Sequence, residues 1–496
     1  MSRKIEKVAI ANRGEVAVRI IRACQEMGLD TVLLHSEADE KTLAYRLADE
    51  VVCIGGAEVS SSYLNIASTI QGARSAAADA IHPGFGFLSE NAEFAKACLA
   101  NRLIFIGPSP QSIELFGDKI SAKKLVEQAG GPIIPGYQGE DQSLGRMREE
   151  ASKIGYPVIV KAAGGGGGRG LRVVERESQL EEAVQSAARE GLAAFGSERL
   201  FLEKYLGRAK HVEIQIFGAA DGEIFHLYER ECSVQRRHQK VIEEAPASLL
   251  DFSLRESMAQ AAVRIAQAAK YKGAGTVEFL VQDGQFYFLE MNTRLQVEHP
   301  VTELVMGVDL VKAQLQTAMD QSLYWMQDEL FPRGHSIECR IYAEDAYANG
   351  VPSTGVLGSC VWPRGPGRRF EVGFEAGDEV TPYYDSMIAK VVTYDETRAR
   401  AIEKMRQTLK DTIIFGVKTN IPYLLSILSH PEFVEGSMTT GFIAANFPKG
   451  IEAKPISSTD RAIIDEVNEK VAESSSAMMS EGPDAVSPWK YQWSHK

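Results

Sequence analysis

The sequence predicts a chain of mixed α/β and α+β character, with an open parallel sheet at its N-terminus and antiparallel ribbons after it. Three observations carry that expectation. The chain has 496 residues, too many for one hydrophobic core and enough for about three domains. Residues 7–34 read strand, loop, helix, strand. The stretch EMNTRLQVEH at 290–299 alternates polar and apolar residues with a period of two, the pattern of an extended segment with two different faces.

In the first region VAIA is an apolar run and Asn12-Arg13-Gly14 a turn. Val16, Ile20, Cys24 and Met27 then recur at helical spacing, Gly28 stops the helix, and TVLL is the next strand. That is a βαβ unit, and VVCI, DAIH and IFIG extend the parallel sheet to about residue 107. A dinucleotide fingerprint needs three spaced glycines, and this turn has one, which argues against a nicotinamide dehydrogenase. Prolines and glycines at 107–110 and 130–139 open a middle region. There IVKAAGGGGGRGLRVV reads as strand, glycine hairpin, strand, and GTVEFLVQDGQFYFLE as two strands around Asp283-Gly284. Over 335–447, IECRIYAED and KVVTYD read as strands and ARAIEKMRQTLKD as a helix. From 448 the chain turns polar. A short amphipathic helix around Ile463, Ile464, Val467 and Val471 precedes SSSAMMSEGPDAVSP, a stretch expected to be disordered or to dock a partner.

Composition narrows the function. Hydrophobic residues make up 44% and charged residues 24%, with a net charge of −13. That balance suits a globular protein and argues against binding a nucleic-acid backbone. The six cysteines (24, 53, 98, 232, 339, 360) form no C-x-x-C pair, so neither zinc nor a disulfide framework is expected. With no apolar run long enough for a membrane span and no signal-like N-terminus, a cytoplasmic enzyme is expected.

Chemistry concentrates in two places. The glycine run can fold over a polyphosphate, offering backbone N–H groups while Lys161 reaches a phosphate oxygen; the plain alternative is a flexible linker. In the ribbon, Glu290, Asn292, Arg294, Gln296 and Glu298 share one face. A two-residue Asp-Gly turn would send Glu278 and Glu290 to opposite faces. A three-residue loop, Gln282-Asp283-Gly284, pairs residue 276 with 290 and makes the two acids diagonal neighbours, and this register is the one expected. Two acids and an amide oxygen are hard ligands suited to Mg²⁺ or Mn²⁺; the plain alternative is an amphipathic edge strand. Arg236, Arg237, His238 and Lys240, in ERECSVQRRHQKVIEE, would add local positive charge for an anionic substrate.

GDK at 117–119, IVKAAGGGGGRG at 159–170, EKYL at 203–206, QRRHQK at 235–240, GTVEF at 275–279 and EMNTRLQVEHPVTE at 290–303 together resemble biotin carboxylase, an ATP-grasp ligase. ANRGEVAVRIIRAC, HPGFGFLSEN and YYDSMIAK fit its flanking domains. The resemblance implies a Rossmann-like domain over 1–118 and an ATP-grasp domain over 119–332 with a lid near 132–205. It also implies an α+β C-terminal domain over 333–447, followed by the tail 448–496. It implies ATP contacts from Lys119, Lys161, Gly165, Gly166, Gly167, Gly168, Glu203, Lys204, Leu206, His211, Gln235 and His238. Glu278, Glu290 and Asn292 would hold the metal. Lys240, Arg294, Gln296 and the Val297 backbone would seat bicarbonate, Glu298 would deprotonate it, and Arg340 would steady the biotin enolate.

The family joins CO₂ to biotin through carboxyphosphate. With no Ala-Met-Lys-Met motif in this sequence, the implied partners are a separate biotin carboxyl carrier protein and a carboxyltransferase subunit, with a homodimer as the common state. GYQGEDQ and TTGFIAANFP look closer to the large subunits of acyl-CoA or pyruvate carboxylases than to the acetyl-CoA type. Rival readings are another ATP-grasp carboxylate–amine ligase and a non-catalytic nucleotide-binding subunit; QRRHQK with the Arg294/Glu298 pair, and the complete ligand set, argue against them.

Overall fold

The computed structural model describes residues 4–162, 171–237 and 239–452, with residues 462 and 466 beyond them. The chain divides into two compact units, Met1–Gly450 and Ile451–Lys496, and every element below belongs to the first. The glycines at 164–168, His238 and the helix expected around Ile463 lie outside the described residues.

The N-terminal sheet is parallel, as expected. Strands β1 (Lys7–Ile10), β2 (Asp30–Ser36), β3 (Glu50–Gly55), β4 (Ala80–His82) and β5 (Ile104–Phe105) lie in the order β3-β2-β1-β4-β5. Helix α1 (Gly14–Glu26) crosses from β1 to β2. Val8, Ala9, Ile10, Val32, Leu33 and Leu34 are all buried, the continuous apolar run of strands covered on both faces.

After α2 (Lys119–Gln128), capped by Asp118, a four-stranded antiparallel sheet carries the glycine hairpin. Its order is β6 (Gly136–Tyr137), β9 (Leu200–Lys204), β7 (Val158–Ala162), β8 (Leu171–Val174). Strands β7 and β8 pair in register from Val158↔Val174 to Lys161↔Leu171, so residues 163–170 join two antiparallel strands.

The largest sheet has eight antiparallel strands. In chain order they are β10 (Lys210–Gly218), β11 (Ile224–Arg236), β12 (Gln239–Ala245), β13 (Gly273–Gln282), β14 (Gln285–Asn292), β15 (His335–Tyr342), β16 (Arg368–Val372) and β17 (Met387–Asp395); in space they run β14-β13-β10-β11-β12-β15-β17-β16. Ladder hydrogen bonds therefore run unbroken from the middle region into the C-terminal one. Strand β10 shows how one sheet serves two purposes. Val212, Ile214 and Ile216 pack with Met258, Ala262 and Ile265 of helix α3 (Phe252–Ala268). His211, Glu213 and Gln215 alternate with them and are also buried. One face is a core; the other is a buried polar surface, which stays folded only where its charges are matched. Among the described residues no helix is long and apolar enough to cross a membrane.

Candidate active site

The hairpin that carries the acids departs from the expected register. Gln282 pairs with Gln285, so the turn is the two-residue Asp283-Gly284, with φ of 52° and 71°. Positive φ at both positions matches the right-handed twist of the flanking strands, which is why Asp-Gly selects it. The ladder then slips: Phe279 pairs with Phe288 but Glu278 with Glu290, leaving Leu289 as an unpaired bulge. The bulge returns Glu290 to the face of Glu278, directly opposite it and not diagonal to it. Partial desolvation, then the Glu278 charge, pushes the Glu290 carboxyl above its ordinary range.

Strand β14 ends at Asn292, so the polar row is not one extended strand. The Thr293 N–H leaves the ladder for a Glu90 carboxylate oxygen at 3.0 Å. Met291, Thr293 and Leu295 are buried, and this anchoring brings the even-numbered side chains together without strand geometry. Arg294 donates to Asn292 Oδ1 at 2.9 Å, Gln296 Oε1 at 3.0 Å and Glu90 at 2.8 Å. Glu278 accepts from Asn292 at 2.8 Å and from Gln296 at 3.2 Å.

Lys240 is the hub. Its ammonium lies 2.5 Å from Glu213, 2.8 Å from Glu278 and 2.6 Å from Glu298. Glu298, fully buried just before helix α4 (His299–Met306), also meets Arg340 of β15 at 2.9 Å. Arg340 in turn pairs with Glu243 at 2.6 Å. Burial works against the Glu298 charge, but Lys240, Arg340 and Arg230 together hold its carboxyl well below the ordinary range. Burial likewise opposes the charge of Glu278, which Lys240 and His211 keep low. For Glu243 burial wins over Arg340 and pushes the carboxyl up to about 7.

The nucleotide-side residues fall into a second group. Glu203 pairs with both Lys123 and Lys161. Gln235 Nε2 lies 2.6 Å from His211 Nδ1; an amide N–H donates, so His211 carries its proton on Nε2, 2.9 Å from Glu278. Lys204 turns away and donates to the Gly155 and Tyr156 carbonyls at 2.9 and 3.1 Å. Leu206 is half-buried past the end of β9, and Lys119 opens α2.

The positive cluster expected in QRRHQK is divided. Lys240 and Gln235 face the site, whereas Arg236 pairs with Glu344 and Arg237 is exposed at the β11–β12 turn, because alternate residues of a ribbon point to opposite faces. Sequence reasoning passed over Glu213, Arg230, Glu243, Lys123 and Glu90. Glu213 had a readable signal in the alternation His211-Val-Glu213-Ile-Gln215. Arg230, wholly buried among Glu213, Gln215, Thr276 and Thr302, had none.

Two cavities meet here. One, about 460 Å³, is lined by residues including His211, Lys240, Glu278, Glu290 and Arg294. The other, about 430 Å³, reaches Phe85, Phe87 and Tyr384; both include Val297, Arg340, Tyr342 and Asp385 in their walls.

Residues 118–326 match the family model for the carbamoyl-phosphate synthase L chain ATP binding domain. Residues 4–113 and 338–445 match those for the biotin carboxylase N-terminal and C-terminal domains. The biotin carboxylase of Nostoc sp. is 47% identical over 441 residues, covering 89% of this chain and 99% of that one. Methylcrotonoyl-CoA carboxylase subunit alpha of Dictyostelium discoideum is 49% identical, but the chain spans only 63% of its length. Among solved structures, a Campylobacter jejuni biotin carboxylase complexed with a βγ-ATP ligand is similar with a TM-score of 0.85 and 45% identity, covering 89% of this chain and 99% of that one. The biotin carboxylase domain dimer of Hydrogenobacter thermophilus 2-oxoglutarate carboxylase, with MgADP, ADP and bicarbonate, has a TM-score of 0.85 and 42% identity, covering 91% and 99%.

Fold and site thus define an ATP-dependent ligase of the ATP-grasp type. Within that class the chain belongs to the biotin carboxylase family.

Proposed function

We propose that the chain carboxylates biotin on a carrier protein from ATP and bicarbonate, by way of carboxyphosphate, as a component of an acyl-CoA or acetyl-CoA carboxylase. One observation carries the reading: Glu298, a buried carboxylate, is clasped between Lys240 and Arg340 where two cavities share a wall. One cavity suits bicarbonate and nucleotide, the other the ureido ring of biotin. Lys240, Arg294, Gln296 and the Val297 backbone seat bicarbonate, and Glu298 takes its proton. An anion seated against Lys240 draws off part of the charge that holds Glu298 low, so the base strengthens when its substrate is present. Arg340 then faces the biotin oxygen as negative charge develops there.

Glu278 and Glu290, paired across the bulge, with Asn292 beside them, are hard oxygen ligands that suit a divalent cation, Mg²⁺ or Mn²⁺. The ion would supply charge neutralisation at the ATP phosphates. Lys119 and Lys161 attract the phosphates, the glycines Gly165, Gly166, Gly167 and Gly168 cover them, and Glu203, Leu206, His211, Gln235 and His238 surround the nucleoside, whereas the Lys204 ammonium is held away by the Gly155 and Tyr156 carbonyls. We also propose the domain division at about 118, 332 and 447, a homodimer, the carboxyltransferase partner and a cytoplasmic location. Methylcrotonoyl-CoA carboxylase subunits and free-standing biotin carboxylases are about equally similar to the chain. The biotin carboxylase subunit of a pyruvate carboxylase also matches, at a TM-score of 0.80. A pyruvate carboxylase setting is therefore the second reading.

The test is ATP hydrolysis by the purified chain with Mg²⁺, with and without bicarbonate and free biotin. Stimulation by biotin that also requires bicarbonate is expected. Hydrolysis indifferent to biotin would leave an ATP-grasp ligase with a different acceptor.

A further inference from the structure

Two peptide planes at 296–298 are held by side chains that no step above uses. The Gln296 carbonyl accepts from His299, whose Nδ1 lies 2.7 Å and backbone N–H 3.3 Å away. A carbonyl only accepts, so His299 keeps its proton on Nδ1. The Val297 carbonyl accepts from Lys390 Nζ at 2.7 Å. Lys390, on β17, is fully buried, with its ammonium 3.1 Å from Glu15 of α1 and 5.8 Å from the centre of the Phe85 ring.

A trans peptide points its N–H opposite its C=O. Fixing the Gln296 carbonyl toward His299 therefore turns the Val297 N–H the other way, on a residue that lines both cavities. Among the described residues that N–H meets no backbone or side-chain acceptor. A buried ammonium is expensive, and packing alone would be served as well by an apolar pair of the same size. Here the ammonium lies between the Glu15 carboxylate and one backbone carbonyl, and that carbonyl belongs to the residue with the unpartnered donor.

We infer that His299 and Lys390 are positioning residues that hold the Val297 N–H aimed into the cavity as a fixed donor to a small oxyanion. That oxyanion is bicarbonate in the reading above, on which this inference rests. A donor fixed beforehand stabilises an anion without reorganising when it arrives. The two side chains act on one target from opposite sides, His299 through the peptide before Val297 and Lys390 through the peptide after it.

The test compares Lys390→Met, the charge-balanced pair Glu15→Gln with Lys390→Met, His299→Leu and His299→Asn in the full chain with Mg²⁺ and free biotin. Thermal unfolding is followed alongside, and the double variant covers a failure of the single one to fold. The first three should raise the KM for bicarbonate about tenfold while the KM for ATP moves less than about twofold. His299→Asn, which keeps a donor near Nδ1, should recover most of the loss. An amide signal from ¹⁵N-valine at Val297 should shift on adding bicarbonate to the parent and barely move in Lys390→Met.

Folded variants that keep the parent's bicarbonate KM, or lose bicarbonate and ATP affinity equally, overturn the inference alone. A parent whose hydrolysis and Val297 signal both ignore bicarbonate overturns it together with the reading beneath it.

Discussion

The two large sheets solve the same problem in opposite ways. In the parallel sheet both faces are apolar, and its chemistry comes from the segments that follow the strands: Glu15 after β1 and Glu90 after β4. In the antiparallel sheet the chemistry sits on the strands themselves. Glu213, Arg230, Lys240, Glu278 and Arg340 stand on β10, β11, β12, β13 and β15, each locked by cross-strand neighbours. A parallel sheet covered on both sides can offer ligands only at its ends. An antiparallel sheet with one free face can build a rigid floor, with loops completing the rim.

If floor and rim differ in this way, damage to the floor must go deeper. Glu298→Gln, which removes the proposed base that Lys240 and Arg340 of the floor clasp, should lower bicarbonate-dependent turnover about 10²–10⁴-fold with ATP affinity largely kept. Steady-state ATP hydrolysis over a bicarbonate series checks this, and near-normal turnover would remove Glu298 from that role. Glu90→Ala frees Arg294 on the rim side only. A rise of about threefold to tenfold in the bicarbonate KM, with little change in kcat, is expected from the same assay. Losses of equal size from the two substitutions would break the comparison.

The smallest effect concerns Glu15, behind the floor. Burial outweighs the nearby Lys390 and pushes its carboxyl up to about 7. A carboxyl raised in the folded state contributes stability that is complete below its unfolded value of about 4.3 and is lost as pH rises through 7. Glu15→Gln should therefore gain stability relative to the parent between pH 5 and pH 8, by about 1–3 kcal/mol. Urea unfolding at the two pH values reads it, and a difference independent of pH would contradict the assignment.

What could be read from the sequence follows the same division. The βαβ start was legible because helical spacing at Val16, Ile20 and Cys24 lies next to an apolar strand. The β7–β8 hairpin was legible from two strand signals around glycines. The polar row of 290–298 was recognised, but its geometry was not. The Asp-Gly turn is two residues long, and the compensating bulge at Leu289 leaves no compositional trace, since leucine is an ordinary strand residue. Partners such as Arg230 and Glu243 were illegible for another reason. Glu243 meets Arg340 across 97 residues, and Arg230 reaches Thr276 and Thr302 as well as Glu213 on the strand before its own; spacing along a sequence carries no record of which strands become neighbours.

The Leu289 bulge has one more consequence. It works as a phase break: whatever happens between Phe279 and Phe288 is uncoupled from which way Glu290 faces. The hairpin tip could be redrawn in length or composition, pair for pair, with the two acids undisturbed. Losing the single leucine would keep every charge in the chain and still rotate Glu290 out of reach. An apolar residue in the wall of the cavity thus guards the addressing of the acidic pair.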